Sequence, residues 1–193
     1  MKKSVIALLV FILFLLSCAP KIFPVRSHNV KIQENYAVIT HKNYDIAIEP
    51  SSWNDPPSNL ENYFMVFYVI LRNKTNQIMP VDKNAFVMID ENGEQYSIFG
   101  PQQMVKIMYG DNQYFDLNYF TNFDDQDHED LKEEYETRLD GIRNIMMKSF
   151  QFEPIRPQAQ QSGYLFFERL EYKKQTLFKI YYNNNAMEFV ITK

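Results

Sequence analysis

The acidic run DDQDHED at residues 124–130 is the densest set of side chains that could bind a metal ion. Carboxylate oxygens bind Ca²⁺ when a loop wraps around the ion. An EF-hand loop opened by Asp125 would need glycine at its sixth position, where this chain has Asp130. We therefore interpret the run as the acidic first turn of a helix, with one aspartate as its N-cap. No metal site is predicted there.

The three histidines, His28, His41 and His128, are far apart in the sequence. None has a histidine or cysteine two to four residues away, so a zinc or copper site would need the fold to bring them together. We predict that all three lie at the surface.

The chain also lacks the short motifs that catalysis and cofactor binding most often use. It has no glycine-rich phosphate loop, no Gly-x-Ser-x-Gly, no His-Glu-x-x-His, and five glycines in all. Distant carboxylates can still converge, as they do in glycosidases, so a hydrolase stays an alternative. We expect a protein that is not an enzyme, with no catalytic residues and no cofactor.

The single cysteine, Cys18, follows an unbroken apolar run over residues 5–16, and Lys2 and Lys3 precede that run. A bilayer needs roughly 20 apolar helical residues, so the run is too short to span one. Its length and its basic start are typical of an export signal. Exported domains often contain disulfides, but one thiol cannot form an intramolecular bridge. The domain must therefore be stabilised by its core alone.

The segment Leu15-Leu16-Ser17-Cys18 resembles the bacterial lipoprotein signal, in which an aliphatic, a variable and a small residue precede the cysteine. Leu16 is bulkier than the usual small residues. The resemblance implies a signal peptide over residues 1–17 and a lipid on the Cys18 thiolate, which anchors the chain to a membrane. Ala19, in place of aspartate, implies the outer membrane. An ordinary secreted protein and a short signal anchor are the alternatives.

The rest of the chain divides into a tether and one domain. Residues 18–35 contain two prolines and no steady hydrophobic period, so we predict a flexible tether there. Residues 36–193 are long enough for one domain with a sizeable core. The formal net charge is −4, and removal of residues 1–17 takes away two positive charges. This acidic balance argues against a nucleic-acid partner and against electrostatic adhesion to anionic lipid.

β-strand signals dominate the predicted domain. The run YFMVFYVIL at 63–71 is apolar on both faces, which predicts a central strand covered on each side. Asn92-Gly93 lies between two β-prone runs and predicts a hairpin. Eight short strands separated by turn residues indicate a two-sheet sandwich. They are predicted at 36–40, 44–49, 63–71, 85–90, 95–99, 164–170, 176–182 and 187–192.

A helical insertion interrupts these strands at about 101–160. Residues 101–109 begin with proline and are followed by Gly110, which predicts a short helix. Residues 127–150 have apolar side chains at steps of three and four, which predicts one long helix. The fold class is therefore mainly β, a sandwich with a helical insertion, preceded by the signal-peptide helix.

Residues 62–95 and 163–168 are similar to the telokin-like, immunoglobulin-type domains of bacterial surface lipoproteins. The shared features are a strand that ends at Asn73, the segment 79–82 ending in aspartate, the Asn92-Gly93 turn before Tyr96, and Gly163 before a Phe-containing strand. The resemblance implies an immunoglobulin-like sandwich that binds or scaffolds outside the cytoplasm and has no shared catalytic residues.

The aromatic stretch at 114–123 is the strongest candidate for a partner surface. Tyr114, Phe115, Tyr119 and Phe120 offer rigid rings that bury area at low entropic cost. The alternative is that these rings pack the long helix onto the sandwich. We expect a lipid-anchored, non-catalytic lipoprotein of the cell envelope that binds or scaffolds another envelope protein. A lipoprotein that binds a sugar, peptide or lipid is the alternative, and an accessory lipoprotein of a secretion system is a further one.

Overall fold

Two antiparallel sheets form the body of the protein. The computed structural model describes residues 20–110, 129–172 and 175–192, and eleven strands lie within those ranges. A five-stranded sheet has the order β1-β11-β10-β6-β7, and a six-stranded sheet has the order β2-β3-β4-β5-β9-β8. The strands are β1 (Lys21–Val25), β2 (Lys31–Gln33), β3 (Tyr36–Thr40), β4 (Tyr44–Pro50), β5 (Phe64–Asn73), β6 (Phe86–Asp90), β7 (Gln95–Tyr96), β8 (Ile98–Phe99), β9 (Gln160–Glu168), β10 (Gln175–Tyr182) and β11 (Asn185–Thr192). The predicted fold class, a mainly β sandwich, is confirmed.

The main core lies between the two sheets. Alternate side chains of each strand point inward because the side-chain period of a strand is two residues. Phe67 is fully buried at the centre, and its ring lies 5.5 Å from Phe189, 5.9 Å from Phe167 and 6.0 Å from Phe178, measured between centroids. Aromatic rings of the neighbouring strands β5 and β9 therefore pack against those of β10 and β11 and join the two sheets.

β5 is the central strand that its sequence predicts. It pairs with β4 on one side and with β9 on the other. Phe67, Val69 and Leu71 belong to the core between the sheets, whereas Phe64 and Val66 belong to a second core on the opposite face. The apolar run needs cover on both faces, and this strand has it.

Helices provide the cover on that opposite face. The helices are α1 (Leu60–Tyr63), α2 (Pro101–Tyr109) and α3 (Glu129–Lys148). Met104 and Val105 of α2 and Ile145 of α3 pack with Val66 and Phe166 of the six-stranded sheet. The insertion therefore packs on the sandwich as a third layer. Among the described residues, no helix combines the length and apolar character needed to cross a membrane.

The predicted strand at 95–99 is two strands. β7 pairs with β6 in the five-stranded sheet, and β8 pairs with β9 in the six-stranded sheet. The chain changes sheets between Tyr96 and Ile98, and a strand that changes sheets cannot continue its ladder. The hairpin itself is where Asn92-Gly93 predicts it, with Gly93 at φ +84°.

The structure also differs from the prediction of a flexible tether over 18–35. β1 pairs with β11 from Lys21 to Val25, and β2 pairs with β3. Ile22 packs against the main core opposite Ile191. The prolines that suggested a tether are compatible with this arrangement, because β1 is an edge strand and Pro24 need not donate to a ladder there.

Candidate functional site

The predicted site residues lie outside the described part of the chain. This holds for the lipid attachment site Cys18 and for the partner surface of Tyr114, Phe115, Tyr119 and Phe120. The acidic residues 124–128 also lie outside it, and α3 begins directly after them. The described part of the chain has a different candidate site, which the sequence did not predict.

A cleft of about 500 Å³ opens beside β1, where the chain enters the sandwich. We call it the β1 cleft. Its buried lining residues are Phe64, Met65 and Val66 of β5 and Ile191 of β11, together with the half-buried Ile22. Its polar lining residues are Lys21, Asn35, Ser51, Ser52, Glu61, Asn62, Arg169 and Tyr172. The cleft thus has an apolar floor and a polar rim.

The rim is built by the loop between β4 and β5. The Ser51 amide donates to the Val66 carbonyl at 3.0 Å and keeps the loop next to β5. The Trp53 amide donates to the Glu61 carboxylate at 2.5 Å, so that carboxylate has a structural task already. The Trp53 ring is buried in the helix-covered core, where its centroid lies 5.2 Å from that of Tyr164.

Arg169 is held over the cleft by neutral groups. One guanidinium nitrogen donates to the Glu61 backbone carbonyl at 2.6 Å, and the other terminal nitrogen donates to the Tyr172 hydroxyl at 3.3 Å. The guanidinium carbon also lies 6.0 Å from the centre of the Tyr172 ring. Within the described residues, neither Arg169 nor Lys21 forms an ion pair with a carboxylate. The rim therefore has two cations and one carboxylate.

A second surface is the outer face of the six-stranded sheet beyond the helices. We call it the tyrosine row. Tyr68 lies opposite Tyr164 in the register, with ring centroids 5.2 Å apart, and its hydroxyl donates to Ser162 at 3.0 Å. Burial and a hydrogen bond to the Glu49 carboxylate raise the pKa of Tyr36 well above its usual value. The hydroxyl groups of Tyr36 and Tyr68 already have hydrogen-bond partners, which makes the row less suited to a ligand than the β1 cleft.

A smaller cleft of about 250 Å³ lies between β6 and the β7–β8 segment. Its one basic side chain, Lys83, donates to the Gln103 side chain at 2.7 Å, a contact that links the β5–β6 connection to α2. Like Arg169, Lys83 has a neutral hydrogen-bond partner, but this smaller cleft has one basic lining residue where the β1 cleft has two.

No metal centre is found among the described residues, where no group of three or more His, Cys, Asp or Glu side chains could hold an ion. His41 has a structural role: its Nδ1 accepts a hydrogen bond from the Asn43 amide at 3.3 Å, and its ring packs on Tyr44. His28 is exposed, as predicted.

Sequence reasoning missed the β1 cleft because its two cations are far apart in the chain. Lys21 lies in the segment predicted to be a tether, and Arg169 lies just after β9. They share a cleft because β1 pairs with β11 and places the N-terminal strand beside the start of β5. A strand signal in residues 21–25 would have been needed, and the two prolines obscured it.

Comparisons with known proteins identify no relative. No protein-family model matches the chain, no curated protein matches it, and no solved structure matches it. The function is therefore argued from this chain's own residues.

Proposed function

We propose that this chain is a lipid-anchored, non-catalytic protein of the bacterial cell envelope that binds another envelope component. The observation that carries the proposal is Cys18 at the end of a short export-type apolar run, close to the first strand of the domain. β1 begins at Lys21, and three residues span at most about 11 Å. A lipid on Cys18 would hold the sandwich at the membrane surface.

The chemistry of the β1 cleft supports binding over catalysis. Glu61 is the one carboxylate in its described lining, and it already accepts a hydrogen bond from the Trp53 amide. That lining has no histidine or cysteine to act as a base or nucleophile. Its groups can orient a ligand, but they do not form an acid–base pair.

The insertion supports a protein partner as the component bound. The apolar faces of α2 and α3 are used in packing on the sheet, where Met104 and Ile145 are fully buried. Residues 111–128 connect these two helices and include Tyr114, Phe115, Tyr119 and Phe120. We propose these four aromatic side chains as the contact with an envelope protein. A second candidate function is small-ligand binding, which the volume and mixed lining of the β1 cleft favour.

Photocrosslinking in intact cells tests the partner. A photoreactive phenylalanine analogue at Tyr119 should give a crosslink to one envelope protein, identified by mass spectrometry. The same analogue at Asn184, an exposed turn residue between β10 and β11, serves as the control and should not give that product. The proposed partner surface is wrong if Tyr119 gives no protein adduct, or only the adducts that Asn184 gives.

A further inference from the structure

The lining of the β1 cleft has the two halves that an amphiphile needs. Its apolar lining includes the half-buried Ile22 and the exposed Phe23 beside the buried Met65 and Ile191, and Lys21 and Arg169 are exposed basic residues at the rim. A volume of about 500 Å³ lies in the range of small-molecule sites, and the lining contains both apolar and polar groups. The cleft thus suits a ligand that joins an anionic group to an apolar chain.

The rim favours an anion, and phosphate in particular. The Arg169 guanidinium has five N–H groups, and the described contacts to Glu61 and Tyr172 use two of them. The planar guanidinium matches phosphate oxygens in pairs, and those two contacts fix its orientation in advance. Lys21 adds a second positive charge, although the whole chain has a formal net charge of −4.

The position of the cleft indicates where such a ligand comes from. Pro20 and Lys21 line it, and they follow Cys18 by two and three residues. If Cys18 has the lipid anchor proposed above, on which this inference rests, the cleft opens within about 11 Å of the anchor. At that distance the phosphates of the anchoring membrane are the nearest concentrated source of anionic amphiphile.

We propose that the β1 cleft binds an anionic phospholipid of the membrane to which the protein is anchored. The lipid phosphate lies between Lys21 and Arg169, and the first part of an acyl chain lies along Ile22 and Phe23, the apolar lining side chains that remain accessible. This contact fixes the orientation of the sandwich on the bilayer, so that the helical layer has a defined direction relative to the membrane.

Photolabelling in reconstituted vesicles tests the site. The mature protein is placed in phosphatidylcholine vesicles that contain a small fraction of phosphatidylglycerol with a diazirine in its acyl chain. The labelled peptide should contain Ile22 and Phe23. The same diazirine on phosphatidylcholine should give at least fivefold less label there, because each basic group near an anionic surface contributes about a fivefold preference.

Neutral variants identify the cations. Lys21→Gln should lower the cleft label about fivefold, and it removes no hydrogen bond of the described structure. Arg169→Gln should lower it further but also loses the contacts to Glu61 and Tyr172, so Lys21→Gln keeps the test valid if that variant does not fold. Lys31→Gln and Arg72→Gln, at exposed positions on β2 and β5, are the matched controls and should label as the wild type does.

The outcomes separate this inference from the proposed function. Flotation of the protein with the vesicles reports the anchor, whereas label within the cleft reports phospholipid binding. Equal labelling by the two lipids, or no effect of Lys21→Gln, overturns the inference even when the protein floats. Loss of the label on addition of millimolar inorganic phosphate also overturns it, because the site would then bind a small free anion.

Discussion

Asn73 joins the insertion to the end of β5. Its side chain is fully buried, and its amide nitrogen donates to the carbonyls of Gln77 at 2.7 Å, Ile155 at 3.0 Å and Arg156 at 3.2 Å. Its side-chain oxygen accepts from the Thr75 amide at 2.9 Å and the Thr75 hydroxyl at 2.8 Å. One asparagine side chain thus forms hydrogen bonds within a tight turn and to two backbone carbonyls about eighty residues away in the sequence.

Asn73→Ala should lower the free energy of unfolding by about 2–4 kcal/mol, because it leaves several buried polar groups without a partner. Chemical denaturation followed by the fluorescence of Trp53, the single tryptophan, measures this. Asn76→Ala is the matched control. The exposed Asn76 side chain accepts one long hydrogen bond, 3.4 Å from the Gln158 side-chain nitrogen. Its removal should lower the free energy of unfolding by less than about 0.5 kcal/mol. Equal stabilities of the two variants would contradict this account of Asn73.

Gly163 allows two backbone segments to touch. A Cβ atom at this position would lie 2.6 Å from the Phe150 nitrogen and 2.8 Å from the Ser149 carbonyl carbon. The close approach brings the Phe150 amide to the Tyr164 carbonyl at 2.9 Å, which fastens the end of the helical insertion to β9. Side-chain rotation cannot relieve a contact with backbone atoms.

Gly163→Ala should therefore destabilise the fold by about 2–3 kcal/mol, as overpacking does elsewhere. Gly100→Ala is the comparison, since the nearest atoms to a Cβ there are 3.6 Å and 3.8 Å away. Gly100→Ala should lower the free energy of unfolding by at most about 1 kcal/mol, the loss expected when alanine replaces a glycine N-cap. Thermal unfolding of both variants measures the difference, and a stable Gly163→Ala protein would show that the 149–150 segment can shift.

At the residue scale the sequence predicts where a residue lies relative to a strand better than it predicts which distant residues it contacts. In the sequence Asn73 stands out as the end of one strand and Gly163 as the residue before another, and the structure explains both by contacts with the insertion. Those partners are remote in the chain, so no local pattern points to them. Lys21 and Arg169 are the same case, because a strand pairing brings them to one cleft.

At the element scale local chemistry predicts most of the secondary structure. β3 and α2 have the bounds that their sequences predict, and β5 begins one residue later and ends two residues later than predicted. A proline at the start of α2 and glycine after its end, or turn residues around β3, are local signals. The split at 95–99 and the strand β1 are set by which sheet each segment joins, and that choice depends on distant partners.

Hydrogen exchange tests whether the N-terminal segment is a strand. Peptides that cover 21–25 should exchange at least about tenfold more slowly than an unstructured chain, because β1 pairs with β11 through its whole length. The same peptides measured in denaturant, where the chain is unfolded, serve as the rapidly exchanging reference. Exchange of 21–25 in the native protein at that unprotected rate would show that the segment is a flexible tether.

Substitutions on α3 test whether the helical layer is part of the fold. Ile145 is fully buried against the six-stranded sheet, whereas Met147, two residues on, is 77% exposed. Ile145→Ala should lower the free energy of unfolding by about 2–4 kcal/mol, and Met147→Ala should lower it by less than about 0.5 kcal/mol. Equal effects in denaturant titrations would mean that the insertion does not pack on the sandwich.

At the scale of the whole molecule the three layers have different tasks. The two sheets bury the aromatic core, and the helices cover one outer face. The N-terminal strand belongs to the five-stranded sheet, so a lipid on Cys18 would be joined to the core through a few residues. Anchor, cleft and domain then act as one unit at the membrane surface.

That arrangement depends on the modification of Cys18. Intact-mass analysis of the protein extracted from bacterial membranes measures it directly. The account predicts a chain that begins at Cys18 and has the added mass of a diacylglycerol thioether and an amide-linked acyl chain. A mature chain without acyl groups, or one that still contains residues 1–17, would contradict it.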